Sequence, residues 1–157
     1  MVHMWAKLTV WFDRAIGRRF YVVHRAVYQA SRGWIGHRSG AGPMLLLTTV
    51  GRRSGQLRTH PLLYMPDGAN YVVVGSNGGR PEPPAWVLNL EANPKVKVQV
   101  GRTVLYAHAR VCRGEDAAAL WPSLNEHYSG WSHYQGLTER ELLIVSLEPF
   151  WPQPPVH

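Results

Sequence analysis

Residues 44–63 read MLLLTTVGRRSGQLRTHPLL. Met44 to Val50 is a run of apolar and β-branched residues, the composition of a buried strand. Gly51 and Gly55 supply the backbone freedom for a tight reversal, and residues 56–65 form a second strand. Arg52, Arg53 and Ser54 occupy the turn between them, with Arg58 three residues beyond it. Three guanidinium groups, a hydroxyl and turn amides in so short a span read as an anion cradle. They read equally well as the solvated tip of a hairpin.

Outward from this hairpin the chain alternates quickly. A third strand is predicted at 70–75, after a turn at Pro66-Asp67-Gly68. Ser76-Asn77-Gly78-Gly79 breaks that strand, and Pro81, Pro83 and Pro84 lead into a short helix at 85–92. Strands at 95–100 and 103–112 pair about Gly101-Arg102. A helix at 114–127 opens with Glu115 and Asp116, which suit the positive end of its dipole. A last strand spans 142–147. Antiparallel strands with a few inserted helices predict an α+β protein built around a small barrel or curled sheet. The order is not that of a doubly wound sheet, and neither a GxGxxG turn nor a P-loop is present.

Upstream, residues 4–30 carry Trp5, Leu8, Trp11, Phe12, Ala15 and Ile16 at three- and four-residue spacing, which predicts an amphipathic helix. Arg14, Arg18, Arg19 and Arg25 make it basic. It either packs on the domain's own core or lies on an anionic bilayer with its tryptophans at headgroup level. Residues 31–43, with four glycines, read as a flexible connection. The chain thus divides into an N-terminal helical segment and linker (1–43), a barrel domain (44–150) and a Pro-rich tail (151–157).

The whole chain has 157 residues, the size of one domain. Its formal net charge of +7 attracts anions: nucleic acid, an anionic membrane face or a phosphorylated cofactor. Helix-turn-helix spacing, zinc-finger pairs and RNA-recognition aromatics are missing, so nucleic acid is not expected as a partner. A single cysteine, Cys112, excludes an intramolecular disulfide and suits a reducing compartment. No signal peptide is evident and no apolar run approaches a membrane span.

Three segments are candidates for one site: the basic turn with its following strand (52–63), the Ser76–Gly79 turn with Trp86-Val87-Leu88-Asn89, and the aromatic run HYSGWSHY at 127–134. Trp86 and Asn89 share a helical face, so one can pack while the other hydrogen-bonds. Tyr128, Trp131 and Tyr134, three apart, predict one aromatic wall that lines a pocket or caps the core. His127 and His133 lack a third ligand at a recognisable spacing, so no metal is expected. No nucleophilic triad or paired-carboxylate pattern stands out.

The segments TTVGRRSGQLRTHPL, YVVVGSNGG, PAWVLNLEANPKVKVQV and EHYSGWSHYQ, in that order between about Leu45 and Pro149, resemble the deazaflavin-dependent nitroreductase family of actinobacteria. That family belongs to the flavin/deazaflavin oxidoreductases. The resemblance implies a split β-barrel, an FMN-binding-like antiparallel barrel with an N-terminal helix and two or more short helices. It implies coenzyme F-420, an 8-hydroxy-5-deazaflavin, as a dissociable hydride carrier. The coenzyme's anionic tail maps onto Arg52, Arg53, Ser54, Gly55 and Arg58. Its ring maps onto Thr59, His60, Pro61, Leu62 and Leu63, then Val74, Gly75, Ser76 and Asn77, and then Ala85, Trp86, Val87, Leu88 and Asn89. Tyr128, Trp131 and Tyr134 border the acceptor, with Trp131 also expected against the coenzyme ring, and Ser76, Tyr128 and Tyr134 are the expected donors to the acceptor. Trp131 and Leu63 stand where the nitroreductase type carries tyrosines.

The resemblance implies reduction of a quinone, nitroaromatic or other conjugated apolar acceptor. The alternatives on the same fold are a lipid or fatty-acid binder, or an FMN or haem protein. Expected partners are the small-molecule acceptor and, through residues 4–30, an anionic membrane. The expected assembly is a monomer or weak homodimer, cytoplasmic or at the inner face of the cell membrane.

Overall fold

The computed structural model describes Ala26, Arg38–Ser39 and residues 42–152. Apart from Ala26, the expectations for residues 4–30 lie outside the described residues, as does most of the tail. The β1 strand (Arg38–Ser39) pairs with the start of β2 (Gly42–Val50), placing Arg38 opposite Pro43 and Ser39 opposite Gly42. The end of the expected flexible connection is therefore a short ladder. Its glycines read as breakers, but an extended backbone with a strand alongside needs no side chains to pair.

From β2 the chain runs through β3 (Leu57–Asp67) and β4 (Asn70–Gly75) to a 3-10 turn (Asn77–Gly79) and the α1 helix (Ala85–Ala92). The β5 (Lys95–Val100) and β6 (Thr103–Cys112) strands follow. The α2 (Gly114–His127) and α3 (Gly130–Gly136) helices then precede β7 (Leu143–Pro149). The order β2-β3-β4-β7-β6-β5, with β5 returning to β2, closes a six-stranded antiparallel barrel. The expected turn at Pro66-Asp67-Gly68 shifts to Gly68-Ala69, because Pro66 and Asp67 still pair with Tyr71 and Asn70. The β2–β3 ladder has ended at Leu63 by then, so proline's missing donor sits on a strand with one free side.

Side chains alternate across the barrel wall. Leu45 and Leu47, Val73, Val96 and Val98, Leu105, Val145 and Leu147 fill the interior, joined by Trp86, Val87 and Leu90 of α1. Ala107 and Ala109 are the small members of this cluster, leaving volume for the indole. A second cluster lies outside the wall, where Met65, Val72, Val74, Cys112 and Ile144 meet Leu124 of α2 and Trp131 of α3. A barrel this small is filled by side chains, so a ligand must bind at an end or on the outer face.

Antiparallel pairing decides which end. The β2–β3, β4–β5 and β6–β7 connections leave from one rim, and β3–β4 and β5–β6 from the other. The basic turn, the Ser76 turn with α1, and the loop that enters β7 therefore share one rim.

Candidate functional site

The basic turn is closed by its own backbone. Gly51 N–H donates to the Gln56 carbonyl and Gly55 N–H to the Gly51 carbonyl, each at 2.8 Å. Gly55 has φ +68°, a left-handed conformation open to glycine at no cost. A Cβ on Gly51 would lie 2.8 Å from Ser54 Oγ, so the glycine leaves the hydroxyl its place. Asn89, buried on α1, accepts from Arg52 N–H at 3.1 Å and from Arg52 Nη1 at 3.4 Å, and donates to Thr49 Oγ1 at 3.3 Å. Arg58 Nη2 donates to Gln56 Oε1 at 3.1 Å, while the Arg53 guanidinium has no partner among the described residues. No ion pair among the described residues neutralises this tip. Three exposed guanidiniums beside a hydroxyl fit an anionic group.

Strand alternation divides the next five expected residues. Thr59, Pro61 and Leu63 lie on the outer face, whereas His60 and Leu62 alternate toward the interior, where Leu62 and Tyr64 pack on the core. One ligand cannot meet all five side chains. Thr59 Oγ1 pairs with Thr48 Oγ1 at 2.9 Å on the outer face. Beside them lies a groove of about 220 Å³ lined by Leu46, Thr48, Leu57, Thr59, Lys97 and Gln99. Register explains it: Thr59, Thr48 and Lys97 form one row across three strands, and Pro61, Leu46 and Gln99 the next. Sequence reasoning missed Lys97, although the alternation in KVKVQV puts Lys95, Lys97 and Gln99 on one face.

At the Ser76 turn, Val74 packs in the outer cluster and Gly75 faces α1, where an added Cβ would meet Val87 Cγ2 at 2.8 Å. Ser76 and Asn77 are half-buried, and Asn77 Nδ2 donates to the Glu82 carbonyl at 2.8 Å. Trp86 and Val87, expected against the ring, are buried in the barrel interior, and Leu88 is half-buried. Ala85 is exposed on the rim.

Tyr128, Trp131 and Tyr134 all belong to the outer cluster, Trp131 buried in it and the two tyrosines packed against it. Tyr128 and Trp131 meet edge to face, their centroids 5.3 Å apart, and Trp131 is buried in the outer cluster. Tyr128 is not part of α3; its backbone is extended (φ −153°, ψ 103°), so helical spacing does not run through it. Tyr134 instead lies at the other end of α3 beside His133. A Cβ on Gly79 would stand 2.8 Å from the Tyr134 carbonyl, so this end of α3 touches the Ser76 turn.

The family model for F420H(2)-dependent quinone reductases matches residues 20–149. The chain is similar to an F420H(2)-dependent quinone reductase of Mycobacterium tuberculosis (strain H37Rv), with 39% identity over 141 residues, 87% of this chain and 95% of that protein. Among solved structures it resembles an F420-H2 dependent reductase, with TM-score 0.63 and 37% identity, covering 68% of this chain and 94% of the other. It also resembles a structure described as a domain-swapped dimer, with TM-score 0.65 and 33% identity, covering 81% of this chain and 96% of the other.

Proposed function

The chain belongs to the F420H(2)-dependent quinone reductase family, and from that membership we propose how its residues divide the work. It is an oxidoreductase of the split β-barrel fold that uses coenzyme F-420 to reduce a quinone or related conjugated acceptor. The coenzyme supplies the hydride when bound, which leaves binding, orientation and exclusion of water to the protein.

Arg53, Ser54, Gly55 and Arg58 hold the anionic tail, with Arg52 shared between the tail and Asn89. The observation that carries this assignment is the Asn89 carboxamide, which anchors the turn from behind through Arg52 and Thr49 while the exposed Arg53 guanidinium has no partner among the described residues. On the same rim Ser76, Asn77 and Ala85 are available to the ring, and Thr59, Pro61 and Leu63 line the adjoining outer face. His60, Leu62, Val74, Gly75, Trp86, Val87 and Leu88 act from behind, by shaping the wall. Ser76 and Tyr134 are the acceptor-side hydrogen-bond donors. Tyr128, a third donor, serves an acceptor that extends along α3 over Trp131. Leu63 and Trp131 remove two phenol donors, and Trp131 is buried, which favours a flat quinone over a nitroimidazole.

Quenching of tryptophan fluorescence by oxidised coenzyme, followed by turnover of menadione and a nitroimidazole with reduced coenzyme, tests this reading. Saturable quenching and faster menadione reduction are expected. Absence of binding, with co-purified fatty acid or FMN in its place, would overturn it.

No described helix is long and apolar enough to cross a membrane. We place the protein in the cytoplasm, with residues 4–30 attaching it to the inner membrane face, where apolar quinones reside. Co-sedimentation with anionic but not zwitterionic vesicles is the expected result, lost on deleting the segment. The proposed assembly is a monomer or weak homodimer; a tight dimer in size-exclusion chromatography would indicate segment exchange instead.

A further inference from the structure

Arg140 lies between α3 and β7, yet its guanidinium is spent on the Ser76 turn. Nε donates to the Arg80 carbonyl at 2.9 Å, and Nη2 donates to the Ser76 carbonyl at 2.8 Å. Both terminal nitrogens reach the Gly75 carbonyl at 3.3 Å, and Nη1 also reaches the carbonyl of Glu141 at 3.3 Å. Arg140 makes no ion pair among the described residues. Partial burial draws its pKa below the ordinary arginine value, against the pull of Glu82.

The turn so held needs holding. Asn77, Gly78 and Gly79 have φ of 48°, 63° and 72°, three consecutive left-handed residues. For the asparagine that handedness costs about 1 kcal/mol, and such geometry persists only where its surroundings over-determine it. Arg140 grips the chain on both sides of the strained stretch, at Gly75 and Ser76 before it and at Arg80 after it. Arg140 is itself held from α3. Gln135 Nε2 donates to the Arg140 carbonyl at 2.8 Å, and Gln135 Oε1 accepts from Leu142 N–H at 3.0 Å. Gln135 follows Tyr134 directly, so one relay runs from α3 through Arg140 to Ser76.

We propose that Arg140 is a positioning residue for hydride transfer, which locks the Ser76 turn to α3 so that Ser76 and Tyr134 are presented as one unit. The proposal rests on the reading of that turn as part of the coenzyme and acceptor site. A guanidinium is required because its planar fork serves several carbonyls at once, which a single ammonium cannot do in that geometry.

The test compares wild type with Arg140→Ala and Arg140→Lys. Amide hydrogen exchange over residues 75–80, measured without coenzyme, should quicken about tenfold in both variants while the barrel strands stay protected. With reduced coenzyme and menadione, kcat and kcat/KM should fall together by about tenfold, the mark of lost transition-state positioning. Millimolar guanidinium should restore part of kcat to Arg140→Ala and none to Arg140→Lys, whose side chain still fills the site. Unchanged exchange over 75–80, or wild-type kcat in Arg140→Lys, overturns the proposal. If Arg140→Ala does not fold, Arg140→Lys and Gln135→Ala give the same readouts. A wild-type protein that binds no coenzyme overturns the catalytic role with the reading beneath it, while the exchange result still decides the clamp.

Discussion

The carboxamide of Asn89 accepts from Arg52 N–H at 3.1 Å and donates to Thr49 Oγ1 at 3.3 Å, joining α1 to the tip of the β2–β3 hairpin. Thr49 is fully buried and Asn89 is 5% exposed, so neither can turn to water if the other is lost. Asn89→Ala should cost about 1–3 kcal/mol for the stranded groups, lowering Tm by several degrees, and should weaken coenzyme binding. Asn89→Asp keeps the acceptor for Arg52 and should lose less on both counts. Thermal unfolding and fluorescence titration measure the two effects. A stable Asn89→Ala protein with wild-type affinity would remove the anchor from the account.

The exposed guanidiniums give a sharper test of binding. A charge-assisted hydrogen bond contributes about 1.5–3 kcal/mol, so replacing Arg53 and Arg58 together by alanine should raise the coenzyme Kd by about a hundredfold. The variant should also flatten the dependence of Kd on salt. Arg110→Ala is the control: that side chain is paired with Asp116 and Glu148 on the outer face of β6. Equal affinity in the double variant and wild type would show that the tip is a solvated hairpin and nothing more.

Elements bounded by strong punctuation were legible in the sequence, and groupings across space were not. The helix after Pro84 and the strand pair about Gly101-Arg102 lie at the expected residues. In the same way, the run 44–50 ends at the glycine-bracketed turn as read. The barrel itself came from the family resemblance, since composition alone left a curled sheet open. The period of a strand divides the ring-facing set: Thr59 and His60 are neighbours in sequence and face opposite sides of the wall. The aromatic triplet meets in one cluster on the outer face, with Tyr128 joining it from the end of α2 and not from α3. Arg140 carried no signal at all, because the partners through which it holds the Ser76 turn are backbone carbonyls 60 to 65 residues away.

Cys112 makes a prediction about pH. It is 3% exposed in the cluster under α2 and α3, and burial pushes its thiol pKa above the ordinary value. The unfolded thiol begins to ionise near about pH 8.5, while the folded one keeps its proton further up. Its contribution to stability is therefore complete below that pH and is lost as pH rises through the folded value. Tm should fall more steeply above about pH 8.5 in wild type than in Cys112→Ala, whatever the offset between them. A thiol reagent at pH 8 should label native protein far more slowly than protein in urea; equal rates would show that the cluster does not shield the sulfur.

Gly78 and Gly79 offer a matched pair that separates handedness from contact. Both have positive φ, +63° and +72°, so an alanine at either meets the same backbone penalty, about 1–2 kcal/mol. Their surroundings differ. Nothing lies within 4 Å of a Cβ built on Gly78, whereas one on Gly79 would sit 2.7 Å from Leu137 Cβ and 2.8 Å from the Tyr134 carbonyl. Neither neighbour is the end of a flexible side chain, so the turn and α3 must separate to admit the methyl. Gly78→Ala should then lose only the backbone penalty and keep its acceptor kinetics. Gly79→Ala should lose more in urea denaturation and should also drop in kcat, because the contact that brings Tyr134 to the Ser76 turn is the one it wedges apart. Equal losses in the two variants would mean that α3 yields freely, and that its contact with the turn does not set the geometry of the site.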